Sequence, residues 1–181
     1  MTRLRIFAEE TPDQTLAIHT EPEAVAAGLA PLKVRFERWP TRPEIKAGDE
    51  PETVLEAYDA EIARLMKAGG YQSADVVSMH PEHSDKASMR GKFLAEHAHA
   101  EDEVRFFVDG AGLFTLHADG KVYEVLCERG DLIGVPAGTR HWFDMGPNPS
   151  FVAVRIFTSP DGWAAEFTGS DIASRFPRLE N

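Results

Sequence analysis

The chain has 181 residues, of which 43% are hydrophobic and 27% charged, enough for one domain with its own core. Its formal net charge of −11 excludes the basic surface that nucleic acids require, so any bound anion must be held by locally placed cations. The single cysteine, Cys127, excludes an intrachain disulfide and favours a reducing compartment. No apolar run approaches the roughly 20 residues of a membrane span, so we expect a cytoplasmic protein without nucleic acid or membrane as a partner.

Residues 1–70 are predicted to form an N-terminal extension of strands and helix. Extended segments are expected at residues 4–7, 15–18 and 34–37, and a short helix from Glu21 to Ala27. Between Glu52 and Lys67 apolar residues recur at three- and four-residue spacing, which predicts one helix with a single apolar face. The chain should continue as a barrel core over residues 71–160 and a C-terminal tail over residues 161–181.

Strand signals follow each other closely in the second half of the chain. The predicted strands are 74–78, 93–99, 104–108, 113–117, 122–127, 132–135, 141–145 and 151–157. Gly110 and Gly112 predict a hairpin turn, and residues 81–90 a short helical or irregular lid. Short strands at this spacing are typical of an antiparallel sandwich or barrel. The expected fold is therefore a single domain, mainly β with a few helices.

Two alternating histidines and a carboxylate mark the candidate site. Side chains on a strand repeat every second residue, so His97, His99 and Glu103 should share one face. Imidazoles with one carboxylate suit a transition metal, whereas calcium or magnesium would need mostly oxygen ligands. Alternating histidines can also line a solvent-exposed strand face, so the flanking residues decide between the two interpretations.

The flanking residues form two spaced motifs. The first has the form G-x5-HxH-x3-E-x6-G and runs from Gly91 to Gly110. The second has the form G-x5-PxG-x2-H and runs from Gly130 to His141, which supplies a third histidine. This pair resembles the motifs of the cupin superfamily, although Met145 stands where many cupins have an Asn that is not a ligand. The resemblance implies an antiparallel jelly-roll barrel with a metal in its mouth, held by His97, His99, Glu103 and His141.

Within that superfamily the chain resembles the bacterial acireductone dioxygenase family over essentially its full length. The resemblance rests on the short chain, its N-terminal half, residues 93–106, residues 154–157 and Trp163. It implies one Fe(II) or Ni(II) per chain and, as substrates, an anionic ene-diolate and dioxygen. It further implies a place in methionine salvage, where the iron form yields a 2-keto acid and formate, and the nickel form methylthiopropionate, formate and carbon monoxide.

Several further residues are candidates for substrate contact. Arg105 shares the parity of Glu103, so it should point into the barrel, where its partner is a structural carboxylate or the anionic substrate. The resemblance favours the substrate. Arg155, in an apolar strand, is a second anchor or the partner of a carboxylate such as Glu96 or Asp102.

Aromatic residues are also expected near the metal. Phe143 shares the parity of His141 and Phe93 that of His97, so both rings either line the site or belong to the ordinary core. With Trp163 they complete the expected substrate-binding set.

Glu96 is a candidate base or an orienter of a ligand, although its parity is opposite to that of His97. Asp102 is a weaker candidate for the base. Outside both motifs, His117 lies beside a turn and is expected to be exposed.

Three other functions share these motifs. The chain could be another metal-dependent cupin enzyme, such as a thiol dioxygenase or a sugar isomerase. It could carry a closed structural zinc site, or be a non-enzymatic cupin that binds a metal or ligand. We expect a monomer.

Overall fold

The structure is a computed structural model that describes residues 1–159 and 164–180. Within these ranges the chain forms eleven strands, four α-helices and two short 3₁₀ helices. The strands are β1 (Arg3–Ala8), β2 (Thr15–His19), β3 (Arg35–Arg38), β4 (Ser73–Met79), β5 (His97–Ala98), β6 (Glu103–Ala118), β7 (Lys121–Glu128), β8 (Asp131–Val135), β9 (Arg140–Asp144), β10 (Phe151–Phe157) and β11 (Glu166–Phe167). The helices are α1 (Pro22–Leu29), α2 (Pro51–Ala57), α3 (Asp59–Gly69) and α4 (Lys86–Phe93), and the 3₁₀ helices are Ala30–Leu32 and Ile172–Ser174.

The strands form two antiparallel sheets that share β6. One sheet has the order β11-β5-β9-β6-β7-β1-β2, and the other has the order β3-β8-β6-β10-β4. The first half of β6 pairs with β8 and β10, and its second half pairs with β7 and β9. The expected fold class, a cupin-type antiparallel barrel, is confirmed.

The hairpin turn predicted at Gly110 and Gly112 is wrong, because β6 runs through both residues without reversing. Gly110 has a φ of +73°, and a Cβ there would lie 1.9 Å from the carbonyl oxygen of Ser150. The pairing register of β6 with β10 shifts just before this point, between Val152 and Ala153. Side chains inside the barrel are therefore odd-numbered before the bulge, such as Phe107, and even-numbered after it, such as Phe114.

The single helix predicted from Glu52 to Lys67 is two helices, α2 and α3, separated at Tyr58. Tyr58 leaves the helical conformation with φ −118° and ψ 16°, and its buried ring packs edge-on against Phe106. Its hydroxyl accepts a hydrogen bond from the backbone of Arg42 at 2.8 Å. Tertiary contacts at one aromatic side chain thus interrupt a regular apolar pattern.

The N-terminal segment is also more integrated than predicted. Within residues 1–70, β1 pairs with β7 and β3 pairs with β8, so both sheets incorporate strands from this segment. The short helix α1 extends through Gly28 to Leu29 instead of stopping at Ala27. Residue 70 is therefore not the start of the barrel.

The strand predicted over residues 93–99 is wrong in its first half. Helix α4 runs from Lys86 to Phe93, and only His97 and Ala98 form the short strand β5. Basic residues Arg90 and Lys92 lie in the last turn of α4, where they favour a helix end. The lid predicted at residues 81–90 is thus partly the helix that leads into the site.

Three apolar clusters hold these layers together. The interior between the sheets includes Phe107, Phe114 and Phe143, and α2 and α3 cover the outer face of the sheet that contains β10. Residues of the C-terminal segment, among them Ile172 and Phe176, cover the outer face of the other sheet. Much of each outer face is thereby buried, while Leu16 and Ile18 on β2 remain exposed. Among the described residues, no helix combines the length and the apolar character needed to span a bilayer.

The bend of β6 generates a stability prediction. Gly110→Ala must accept both a left-handed backbone and a clash with backbone atoms, whereas Gly120→Ala at φ +68° meets nothing within 4 Å. The left-handed conformation alone costs about 1 kcal/mol, and an overpacked site adds about 1–3 kcal/mol. We expect urea unfolding of the metal-free protein to show a clearly larger loss of stability for Gly110→Ala. Equal losses would mean that the strand bends without a steric requirement at Gly110.

Candidate metal centre and substrate cavity

The register of the first sheet brings two predicted ligands side by side. His97 on β5 is the direct antiparallel partner of His141 on β9, so both side chains stand on the inner face. Glu103 begins β6 and pairs with Val135 in the other sheet. The site thus receives ligands from both sheets, which meet because β6 belongs to both.

The four predicted metal ligands are brought together and buried. Ligand nitrogens of His97, His99 and His141 all lie within 4.8 Å of one another. Oε2 of Glu103 lies 3.2 Å from Nε2 of His99 and 3.0 Å from Nε2 of His141. None of the four side chains is more than 9% exposed. One metal ion would fit at their common centre.

Backbone carbonyls fix the tautomer of each histidine. Nδ1 lies 2.7 Å from the carbonyl oxygen of Ala95 in His97, 2.9 Å from that of Ala164 in His99, and 2.8 Å from that of Thr139 in His141. Because a carbonyl only accepts, each Nδ1 must carry the proton and donate it. Each Nε2 is then the lone-pair nitrogen, the form that a metal requires.

The protonation states also suit a cation. Burial is the main reason that the pKa of His97 falls to about 4, so this imidazole is neutral at physiological pH. Burial would raise the pKa of Glu103, but the charge of the neighbouring Arg105 holds it well below its ordinary value. Nε2 of His141 is buried and makes no hydrogen bond with the described residues, despite the nearby Glu103 oxygen. The neutral His97, the Glu103 carboxylate and the unsatisfied nitrogen of His141 are donors that suit a divalent transition metal.

Arg105 lies inside the barrel, as its parity predicted. Its side chain is buried, and its Nη2 donates to Oε1 of Glu103 at 2.6 Å. The guanidinium lies over two aromatic rings, 5.0 Å from the centroid of Phe114 and 4.7 Å from that of Phe143. A cation is therefore fixed next to one metal ligand.

Phe143 and Phe93 approach this cation in different ways. Phe143 faces the interior from β9, as predicted, and is only 2% exposed. The parity argument for Phe93 is wrong because Phe93 ends α4 rather than belonging to a strand. Its ring nevertheless contacts Phe143, with a centroid distance of 6.2 Å.

Arg155 pairs with a carboxylate that the sequence did not suggest. It stands directly opposite Arg105 on β10, so both arginines occupy the same face. Its Nε donates to Asp75 on the neighbouring strand β4 at 2.7 Å, not to Glu96 or Asp102. Asp102 instead accepts a hydrogen bond from the backbone nitrogen of Ala137 at 2.9 Å.

Glu96 faces away from His97, and both of its carboxylate oxygens have partners. Oε1 accepts from Nδ1 of His117 at 2.5 Å, and Oε2 accepts from the hydroxyl of Thr168 at 2.6 Å. His117 is only 5% exposed, so the expectation of an exposed histidine is wrong. Its other nitrogen lies 3.1 Å from a carboxylate oxygen of Glu9, just after β1. This buried network links the residue before a ligand to the beginning and the end of the chain.

The C-terminal segment contributes groups that sequence reasoning missed. The carbonyl of Ala164 orients His99, and the Phe167 ring lies 5.7 Å from that of His97. Neither residue belongs to a spaced motif, so only strand pairing could reveal them.

Trp163, predicted to bind substrate, lies outside the described residues. Cys127 is buried, and burial raises its thiol pKa well above the ordinary value, as expected of a structural thiol.

Known proteins resemble this chain in both sequence and fold. The acireductone dioxygenase of Pseudomonas paraeruginosa is 57% identical over 181 residues, all of both chains. That of Alcanivorax borkumensis is 53% identical over 178 residues, 98% of each chain. A solved structure, acireductone dioxygenase from Bacillus anthracis with a cadmium ion in its active centre, has a TM-score of 0.81 at 30% identity. It covers 92% of this chain and 98% of its own.

The profile of the ARD/ARD' family matches residues 3–165, a range that contains every described ligand candidate. Together with the full-length relatives, this match shows that the chain belongs to the ARD/ARD' family.

Proposed function

We propose that this protein is an acireductone dioxygenase, which uses a divalent metal and dioxygen to cleave an anionic ene-diolate. The observation that carries the proposal is the buried Arg105 cation beside a set of three histidines and one carboxylate. The names of the relatives support the reaction, and the cadmium in the Bacillus anthracis protein supports a metal at this place. Methionine salvage is the pathway that the family resemblance implies.

The metal is proposed to be Fe(II) or Ni(II), one per chain, held by His97, His99, Glu103 and His141. Four protein ligands leave two positions of an octahedral ion for a bidentate oxygen ligand. When bound, the metal supplies Lewis-acid polarisation of the two substrate oxygens and a centre for dioxygen chemistry. A structural zinc site is the rival interpretation, and it would need no anionic substrate beside Arg105, so the kinetic test of Arg105 below separates the two.

Arg105 is proposed to hold the negative charge of the substrate. Because its guanidinium is buried, its attraction for an ene-diolate is little screened by water. That attraction favours the deprotonated form of the substrate. Arg155 is proposed as a second positive group on the same face, and Phe93 and Phe143, with Trp163, as the apolar surroundings that limit water around the reacting carbons.

Glu96 is proposed to position the ligand His97 rather than to take a proton from the substrate. Its two oxygens are engaged by His117 and Thr168, on the side opposite to His97. A base must reach the proton that it removes. Of the two roles that the sequence left open for Glu96, the contacts favour the orienting one.

The ligand set is tested by removing His99. His99→Ala deletes one donor and leaves the Glu103 carboxylate with fewer partners, so metal affinity should fall by more than about 100-fold, with loss of activity. Metal content after dialysis and oxygen uptake measure both effects. His80→Ala, at a histidine that is 46% exposed, is the matched control and should keep the metal. Full metal content and full activity in His99→Ala would refute the assignment.

The charge role is tested at Arg105. Arg105→Ala should keep a metal but lower turnover by about 10²–10³-fold, because the anion loses its counter-charge in a buried site. Arg105→Lys keeps the charge without the fork geometry and should recover part of the loss. Metal analysis and steady-state kinetics separate the two functions. Loss of metal without a separate effect on substrate handling would make Arg105 a structural residue.

The identity of the metal should decide the products. Protein reconstituted with Fe(II) should form the 2-keto acid and formate, whereas protein reconstituted with Ni(II) should form methylthiopropionate, formate and carbon monoxide. Headspace gas analysis and mass spectrometry of anaerobically mixed, then oxygenated, samples detect these products. Identical products from both preparations would remove the product-selecting role of the metal. No oxygen uptake above the spontaneous rate would remove the acireductone reaction itself.

A further inference from the structure

A row of paired residues ends at an exposed aromatic ring beside the metal ligands. Leu116 pairs with His141, His141 with His97, and His97 with Phe167, across four neighbouring strands. Direct antiparallel partners stand on the same face of a sheet, so all four side chains are on the inner face. Leu116, His141 and His97 are at most 5% exposed, whereas Phe167 is 58% exposed. Phe167 therefore lies where the interior opens to solvent.

The segment that carries Phe167 is anchored on both sides. Before it, the Ala164 carbonyl accepts from Nδ1 of His99 at 2.9 Å. After it, the backbone nitrogen of Thr168 donates to the Glu96 carbonyl at 3.1 Å, and the Thr168 hydroxyl donates to the Glu96 carboxylate. These bonds hold the Phe167 ring against His97 at a centroid distance of 5.7 Å. The backbone that carries the exposed ring is thus anchored on both sides of Phe167.

Phe143 offers much less surface for an apolar ligand. It is 2% exposed, since the guanidinium of Arg105 lies over it and the rings of Phe93, Phe107, Phe114 and Phe151 surround it. Among the described residues, four large apolar side chains are more than half exposed: Met1, Leu16, Ile18 and Phe167. Of these, Phe167 contacts a candidate metal ligand.

We propose that Phe167 binds the outer part of the substrate's apolar tail and sets the preference for tail length. This inference rests on the proposed function, in which two oxygens of the substrate face the metal and its anionic end faces Arg105. A tail that extends from the metal toward solvent would pass Phe167, the exposed residue of this row. Contact with the Phe167 ring would bury part of the tail's apolar surface. Contact with a tail that reaches the ring is favourable, whereas a shorter tail ends before it.

The test compares acireductones with a long and a short tail. In Phe167→Ala, KM for an acireductone with a six-carbon alkyl tail should rise about tenfold, within the range of one or two lost methylene contacts. Its kcat should stay within about twofold, because the proposed contact is with the tail and not with the reacting carbons. KM for the methyl-tailed analogue should not change. Phe167→Leu should restore most of the preference, and Ile18→Ala, at an equally exposed residue on β2, should change nothing.

A binding measurement keeps this inference separate from the reaction. Octanohydroxamate and acetohydroxamate chelate a metal through two oxygens and need no oxygen chemistry, so their dissociation constants can be read from the visible spectrum of the Co(II)-loaded protein. The long chain should bind more tightly to the natural protein, and Phe167→Ala should lower that preference about tenfold. If the protein oxidises no acireductone but shows this preference, the proposed reaction is refuted, whereas the proposed role of Phe167 in binding an apolar tail is supported.

Three results would overturn the role of Phe167. An equal rise in KM for both tails, or an equal loss of kcat, would mean that the ring only supports His97. A changed Co(II) spectrum in ligand-free Phe167→Ala would point to the same structural role. An unchanged preference for chain length in both assays would show that the tail does not reach Phe167.

Discussion

The site depends on one strand that belongs to both sheets. Glu103 and Arg105 lie in the half of β6 that pairs with β8 and β10, whereas His97 and His141 lie in the sheet that contains the other half. The bulge between Phe107 and Asp109, just before the left-handed Gly110, reverses which side chains face inward. Without that reversal, either Phe107 or Phe114 would leave the core. The same glycine therefore serves both the packing of the barrel and the meeting of its ligands.

The buried ion pair of Glu103 and Arg105 determines the charge distribution of the site. Burying either charge alone would be costly, and their hydrogen bond at 2.6 Å offsets part of that cost. Arg105 also lowers the pKa of Glu103 and so maintains a carboxylate that can bind a cation. A divalent metal would add two positive charges to this neutral pair, and an anionic substrate would offset part of that charge.

The sequence predicted those parts of the site that local rules govern. Alternation along extended chain predicted that His97, His99 and Glu103 meet and that Arg105 points inward, and these side chains do meet in the barrel. His141 was predicted from the second spaced motif. The spacing of the two motifs carried the resemblance that predicted the fold class, because turns and ligands lie at fixed distances along the chain in cupins. The three- and four-residue spacing of apolar residues also predicted the apolar face that α2 and α3 bury.

Long-range contacts account for the errors. Asp109-Gly110 has the composition of a turn, but the chain continues as a strand there, and Ser150, just before β10, packs so closely that only glycine fits at position 110. His117 is the last residue of its predicted strand, beside a turn, yet it is buried and pairs with Glu9 and Glu96 from distant parts of the chain. Phe93 reaches Phe143 from a helix. In each case the partner lies far away in sequence, where neither propensity nor periodicity carries information.

The C-terminal segment shows why such contacts matter for function. A two-residue strand such as β11 has little stability by itself, because few backbone hydrogen bonds offset the loss of chain entropy. It is held by bonds to His99 and Glu96, which are a ligand candidate and the neighbour of another. Any change that shifts those two residues must also shift the backbone beside Phe167. The position of Phe167 therefore depends on the same contacts that hold the ligand candidates, although the two segments are more than sixty residues apart in sequence.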